Sequence, residues 1–545
     1  MLNRKMCLVL IIVCSVACGK KKSPGPVVPP VNYISVLTQH NDNTRAGLNS
    51  HETKLTTANV NGTQFGKLFS LSVDDQVYAQ PLVVANVSIG TGIHNVVYIA
   101  TVNNSVYAFD ADNGDLYWQK NFTAAGFRPP KNTDMSGACG GNYLDFSGNI
   151  GIVGTPVIDS SAQTIYFVAR STDGISYVQY LHAVNIVSGS EMPGSPVVIT
   201  ATYAGIGSGN LNYVITFDAQ IQNQRQALTL VNGVVYVTFS SHCDWGAYHG
   251  WILGYNQTSL QQQIVYNDTP DGSAGGIWES GMGMAADSQG NLFCVTGNGS
   301  EGANGDPTVG RNRAESALKL TPSGDSLQVR SFFTPYNYAY LDSFDRDYGS
   351  MGAFLIPQSN YFFTGCKDGN VYLLNKDNMG GCNTGSDIVQ QNINLSPGKG
   401  LHCQPSYYKG ANNELIYIWT EKDQLRAIPF NRGSDLLDMS DEVVSTVAGP
   451  TGWSGALLSV SSNGTTAGTG IVWASYASSG NANQSVRPGI LRAFDATNVS
   501  QELWDNNQNA SDAAGNYAKF STPTIANGHV YLATFSNQVV VYGLK

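Results

Sequence analysis

Charge is scarce in this chain. Asp, Glu, Lys and Arg make up 12% of its 545 residues, and acids outnumber bases by 39 to 29. A chain with no basic stripe lacks the electrostatic footprint of a nucleic-acid binder. Long apolar runs are also missing after the first 17 residues, so no later segment reads as a spanning helix. Nine cysteines are present, yet no two are adjacent and none forms CxxC or CxxCH. That excludes a dithiol redox motif and a covalently attached c-type haem.

What is abundant is small and turn-forming. Glycine stands at 59 and tyrosine at 28, with Asn, Ser and Thr filling the gaps between short apolar runs. This mix suits many short strands and turns rather than helices.

The N-terminus reads as a targeting segment. Residues 1–5 are short and basic, residues 6–17 are apolar, and SVACG at 15–19 resembles a bacterial lipobox with Cys18 as the cleaved and lipidated residue. Residues 18–34, including KKKSPGPVVPPVN, read as a tether stiffened by proline. The domain expectation is therefore a signal peptide at 1–17, a lipidated tether at 18–34 and one folded domain at 35–545. Cleavage removes Arg4 and Lys5, so bases fall from 29 to 27 against 39 acids and the formal charge moves from −10 to about −12. The expected location is the bacterial cell envelope, lipid-anchored in the outer membrane on its periplasmic or surface face. Six cysteines remain in the folded part: Cys139, Cys243, Cys294, Cys366, Cys382 and Cys403. Their pairing is open, and buried free thiols are an equal reading for Cys294 and Cys366 at strand positions.

One stretch, VYAFDADNGDLYW at 106–118, recurs in degraded form along the chain. Each copy is two alternating strands around a loop. A short strand precedes it after a Gly- or Pro-marked turn, and an outer strand usually follows. Eight such units are countable, and the last ends at Lys545 with no outer strand of its own. A spare strand, FGKLFSLSV at 65–73, lies upstream of the first. The expected fold is all-β: an eight-bladed β-propeller of four-stranded antiparallel blades, closed by that N-terminal outer strand. Seven blades is the alternative, with the diverged fourth unit the weakest. Closure hides the sheet edges that would invite association, so a monomer is expected.

In this repeat Asp110 ends a strand and can bond the turn backbone, Gly114 can take positive φ, and Trp118 can wedge between blades. Asn185, Asn256, Asn375 and Asn431 hold the Asp110 position elsewhere, and Asp495 with Trp504 repeats the pair. A residue that recurs around a ring is structural, so a site must be sought among residues that occur once. The loop at 241–251 supplies His242, Cys243, Asp244 and His249, of which His242 and Asp244 are candidate metal ligands. The Gly-rich loop at 297–313 offers Asn298, Ser300, Glu301, Asn304 and Asp306, with Asn298 and Asp306 as candidate calcium ligands. The segment at 336–349 brings aromatics beside carboxylates, including Asp347 and Tyr348, which suits a polar ligand such as a sugar or peptide. Where the chain enters its blades stand Trp278, Glu279, His402 and Trp453, expected to line the channel mouth. Lys367 and Lys422 occupy equivalent short hairpins and would add positive charge.

The 106–118 stretch resembles the repeat signature of the quinoprotein alcohol dehydrogenase-like propellers. HNDNTRAGLN at 40–49 and VYAQPL at 77–82 resemble a bacterial subfamily of PQQ-like propeller lipoproteins. The resemblance implies two possibilities. In the enzymes, pyrroloquinoline quinone (PQQ) lies between a tryptophan and, in alcohol enzymes, a ring made by adjacent cysteines. A calcium ion held by carboxylate and amide polarises the quinone, and an Asp acts as base. Here no adjacent cysteine pair exists and no calcium set is assignable from the sequence. The lipoprotein subunit of the outer-membrane β-barrel assembly machine shares the anchor and the fold without PQQ. The favoured expectation is thus a lipid-anchored binding or scaffold propeller, with an envelope protein or carbohydrate as partner. The alternative is a PQQ- and calcium-dependent dehydrogenase of alcohols or sugars. A blocked channel would favour the first. A tryptophan over an open cavity beside clustered carboxylates would favour the second.

Overall fold

The computed structural model of the chain describes residues 33–395 and 400–545. The leader, Cys18 and nearly all of the tether lie outside the described residues. From Tyr33 to Lys545 the chain forms one compact unit. No helix among the described residues is long and apolar enough to cross a membrane.

Eight antiparallel blades follow one another around a ring. The first is built from strands Leu82–Ile89, Gly92–Ala100, Ser105–Asp110 and Leu116–Asn121. The diverged fourth unit is a true blade, with strands Ala285–Ala286, Leu292–Val295, Ala317–Ser323 and Ser326–Phe333. Its insertion carries a small hairpin of its own, Glu301–Gly302 against Asn312–Arg313. The eighth blade takes its outer strand from the N-terminal side. Phe65–Ser72 pairs antiparallel with Gln538–Leu544, from Phe65 opposite Leu544 to Ser72 opposite Gln538. Phe65, fully buried, packs its ring 5.0 Å from Trp504 and 5.4 Å from Trp473 and so ties the closing strand to the seventh blade.

The repeated turn works as its residue types require. Asp110 Oδ1 accepts from the backbone N–H groups of Asp112 and Asn113 at 2.9 and 3.1 Å, and its Oδ2 takes the Tyr117 hydroxyl at 2.6 Å. Gly114 sits at φ +83°. Trp118 Nε1 donates to Ile186 O of the next blade at 2.9 Å. Asn185, Asn256 and Asn431 cap their turns in the same way.

Residues 36–49 form a strap along the ring's axis. Backbone amides at Val36, Ile158, Ala286, Leu355, Tyr407 and Val460 join the strap to the innermost strands of blades one, two, four, five, six and seven, at 2.7–2.9 Å. The side-chain amides of Asn43 and Asn49 complete the circuit, donating to Leu230 O in blade three and Ile525 O in blade eight at 2.9 and 2.8 Å. Arg45, wholly buried, donates to Thr38, Gln39 O, Leu228 O, Thr229 and Met284 O. The 36–49 strap, which includes HNDNTRAGLN, is therefore a belt inside the propeller: it satisfies a backbone group of the innermost strand of every blade while filling the axis below the mouth.

Candidate functional site: the channel mouth

Above the strap a cavity of about 400 Å³ opens at the mouth. Its floor is a polar layer. Gln39 Nε2 donates to Gln404 Oε1 at 3.2 Å, and Gln404 Nε2 reaches Ser280 O and Phe520 O. Both expected outcomes thus occur together: the lower channel is filled and the mouth is open.

Trp278 lies on the cavity wall. The turns beneath it are glycine for lack of room: a Cβ on Gly297 would stand 2.7 Å from Asp347 Oδ1 and 2.8 Å from Trp278 Cδ1. That close approach lets Asp347 Oδ1 accept the Asn298 backbone N–H at 2.9 Å. Its Oδ2 pairs with Lys367 Nζ, which also meets Asp345 Oδ1 at 2.6 Å. Burial opposes a charge on Asp347, but Lys367 and the Asn298 amide overcome it and hold the carboxyl below the usual range. Lys367 is likewise disfavoured by burial and held above its ordinary value by Asp347 and Asp345. The Asn298 side chain gives its Nδ2 to Asp345 at 3.1 Å, while its Oδ1 is buried with no partner among the described residues.

Asp244 lines the cavity and accepts from Tyr248 Oη at 2.6 Å. The surrounding protein lifts it to about 6, with the Asp347 charge second and the Tyr248 bond opposing. Beside it, Cys243 is bonded to Cys139 across 104 residues, which pins the insertion after the first blade to the 241–251 loop. That insertion brings Asp145 to the cavity. Cys294, Cys366 and Cys403 are buried free thiols, and Cys382 is free and half-buried.

The rest of the site is aromatic and cationic. The Arg225 guanidinium carbon sits 5.0 Å from the Trp278 ring centroid and 4.4 Å from that of Phe520. Trp453 meets Phe520 edge-on at 5.3 Å and His402 at 4.9 Å. His402 Nδ1 faces Glu421 Oε1 at 3.1 Å, and burial lowers its pKa despite that carboxylate. Lys519, near Trp453, is brought down to about 8 by burial, with Asp145 opposing.

Of the residues expected from sequence, Trp278, His402, Trp453, Asp347 and Asp244 come together around this cavity, with Asn298 bonded to two of its carboxylates. Four others stand elsewhere and correct the expectation. Glu279 is 1% exposed and turns behind Trp278, because residues 279 and 280 both take positive φ; its Oε1 accepts Val295 N at 3.0 Å. Burial raises it to about 8. Tyr348 packs into the core between Phe333 and Tyr372, since the 336–349 segment ends by diving back into the fifth blade. His242 is buried behind the disulfide between Tyr143 Oη at 2.7 Å and Arg170 Nη1 at 2.6 Å, and burial keeps it neutral. Asp306 is exposed and only caps Thr308, at 2.9 Å. Among the described residues no group of three or more His, Cys, Asp or Glu is placed to hold a metal. Sequence reading missed Arg225, Asp145 and Lys519.

No family model matches the chain, and no curated protein matches it. Solved structures do. The quinohemoprotein alcohol dehydrogenase ADHIIG from Pseudomonas putida HK5 aligns with TM-score 0.59 at 13% identity, over 94% of this chain and 80% of that one. That from Comamonas testosteroni gives 0.58 at 12%, over 94% and 80%. A europium-containing methanol dehydrogenase gives 0.60 at 11%, over 94% and 98%. At such identity the likeness shows a shared propeller fold.

Proposed function

We propose that the mouth cavity is the working site and that the protein is a quinone-dependent dehydrogenase of the PQQ kind, acting on a small alcohol or sugar. One observation carries the reading: Trp278 borders an open cavity that also holds Asp244 and the Asp347–Lys367 pair, and Asn298, bonded to Asp347 and Asp345, keeps an Oδ1 that has no partner among the described residues. The donor set suits the group. A hard dication takes carboxylate and amide oxygens, and two protein donors leave places for a ligand's own oxygens. The names of the structurally similar dehydrogenases, two quinohemoproteins and one europium-containing enzyme, support the same chemistry.

In this reading a bound quinone supplies the two-electron acceptor for oxidising a carbinol. Trp278 offers a flat wall. Asp347, kept ionised by Lys367, and Asn298 Oδ1 would hold the cation. Asp244, at about 6, is the carboxyl suited to taking a hydroxyl proton near neutral pH. Tethering through Cys18 to the cell envelope belongs to the same proposal.

A scaffold role is the second reading. It is favoured by exposed apolar side chains around the 202–216 hairpin, where Ile206, Leu211 and Tyr213 are 60%, 76% and 74% exposed. The test mixes purified mature protein with PQQ and calcium and follows absorbance, melting temperature and dye-linked oxidation of alcohols and sugars. The dehydrogenase reading expects a response in all three, lost in Trp278→Ala. No response in any assay sinks it and leaves the scaffold.

A further inference from the structure

Among the described residues Arg225 has no carboxylate in contact with its guanidinium. Its backbone is fixed between Gln224 and Gln226, both buried: Gln224 Nε2 donates to Gln226 O at 2.5 Å, and Arg225 N donates to Gln226 Oε1 at 3.2 Å. The side chain is thereby sent into the mouth, where it lines the cavity. The rings of Trp278 and Phe520 cover the guanidinium at 5.0 and 4.4 Å. Stacking uses the faces of a planar group and leaves its edge for hydrogen bonds. On that edge only Nε has a protein acceptor, Trp278 O at 3.4 Å. Among the described residues neither terminal nitrogen donates to protein, and neither joins an ion pair. Asp145, Asp347 and Asp244 raise its basicity from a distance, while burial pulls it down to about 10, so it is charged at neutral pH.

A pinned arginine with an open Nη1/Nη2 edge has the geometry of a two-point carboxylate receptor. We infer that Arg225 is an anion-recognition residue and that the cavity selects a ligand bearing a carboxylate on a flat or compact body. This rests on the mouth being the working site, and it does not require quinone chemistry. The carboxylate could belong to a quinone cofactor or to a free organic acid.

The test uses the full mature protein and two isosteric probes, pyridine-2,6-dicarboxylate and its diamide, read by tryptophan fluorescence at low ionic strength. Wild type should bind the dicarboxylate about tenfold or more tighter than the diamide. Arg225→Gln should remove that preference, and Arg225→Lys, which keeps the charge without the fork, should restore part of it. If Arg225→Gln fails to fold, Arg225→Lys carries the test, with an expected loss of about fivefold. PQQ and its trimethyl ester form the second arm. Arg225-dependent preference for PQQ over the ester makes the source a quinone. Arg225-dependent dicarboxylate binding without PQQ binding makes it a free acid and defeats only the dehydrogenase reading. Equal binding of diamide and dicarboxylate, unchanged selectivity in the variants, or no binding of any probe overturns the inference.

Discussion

Replacing Arg45 by Met should loosen the whole ring, because one side chain joins the axial strap to blades three and four. The wild-type guanidinium makes five hydrogen bonds, three of them to backbone carbonyls of Gln39, Leu228 and Met284. At about 1.5 kcal/mol each for a charged donor, these contribute about 7 kcal/mol. Against this stands the cost of burying the cation. The drop in its pKa from 12.5 to about 10 corresponds to about 3.5 kcal/mol. Methionine recovers that cost and fills much of the volume, so the net loss is about 4 kcal/mol. With an unfolding entropy of about 2.1 cal/mol/K per residue over about 500 residues, the melting temperature should fall by about 4 °C. Calorimetry measures the shift, and limited proteolysis should cut the variant within residues 36–49 under conditions that spare wild type. A melting temperature within about 1 °C of wild type, with an equally resistant strap, would refute the claim that the belt ties the blades together.

Removing the disulfide by Cys139→Ser with Cys243→Ser should cost about 4 kcal/mol from the long loop it closes, with a similar melting shift on adding reductant to wild type; no shift in either would count against a closed bond. Glu279→Gln tests the buried acid. Its folded pKa of about 8 lies above the ordinary 4.5, so folded protein keeps a proton that unfolded chain releases. Wild-type stability should therefore decline as pH rises from about 5 to about 8, while the Gln variant stays flat and gains up to about 5 kcal/mol relative to it. Parallel denaturation curves across that range contradict this. Lys367→Met leaves the buried Asp347 unpaired and should destabilise by about 3–5 kcal/mol, partly rescued by Asp347→Asn; an unchanged denaturation midpoint would contradict the pairing.

The ring was legible because it is repeated. Asp110, Gly114 and Trp118 mark a turn and a blade contact, their echoes at Asn185, Asn256, Asn431 and Trp504 mark the repeat, and the eight strand units give the count. The closing strand was visible as an alternating segment with no unit of its own. The site was legible only in part. The 241–251 and 336–349 loops do supply cavity walls through Asp244 and Asp347. Which side chain of a loop faces inward depends on backbone twists that residue type does not announce, as positive φ at Glu279 and Ser280 shows. Arg225 and Asp145 arrive on connecting segments that have no repeat to be read against. The strap was hidden for another reason: most of its contacts are backbone amides and carbonyls, and these leave no pattern of hydrophobic or charged residues.

The central claim is that the mouth cavity binds a quinone against Trp278. It is tested most directly by a crystal structure of the mature protein soaked with PQQ and calcium. The account predicts a planar ligand on the Trp278 wall, a cation at Asp347 and Asn298 Oδ1, and a carboxylate on the open edge of Arg225. An empty cavity at saturating ligand, or density confined to the outer rim, would contradict it.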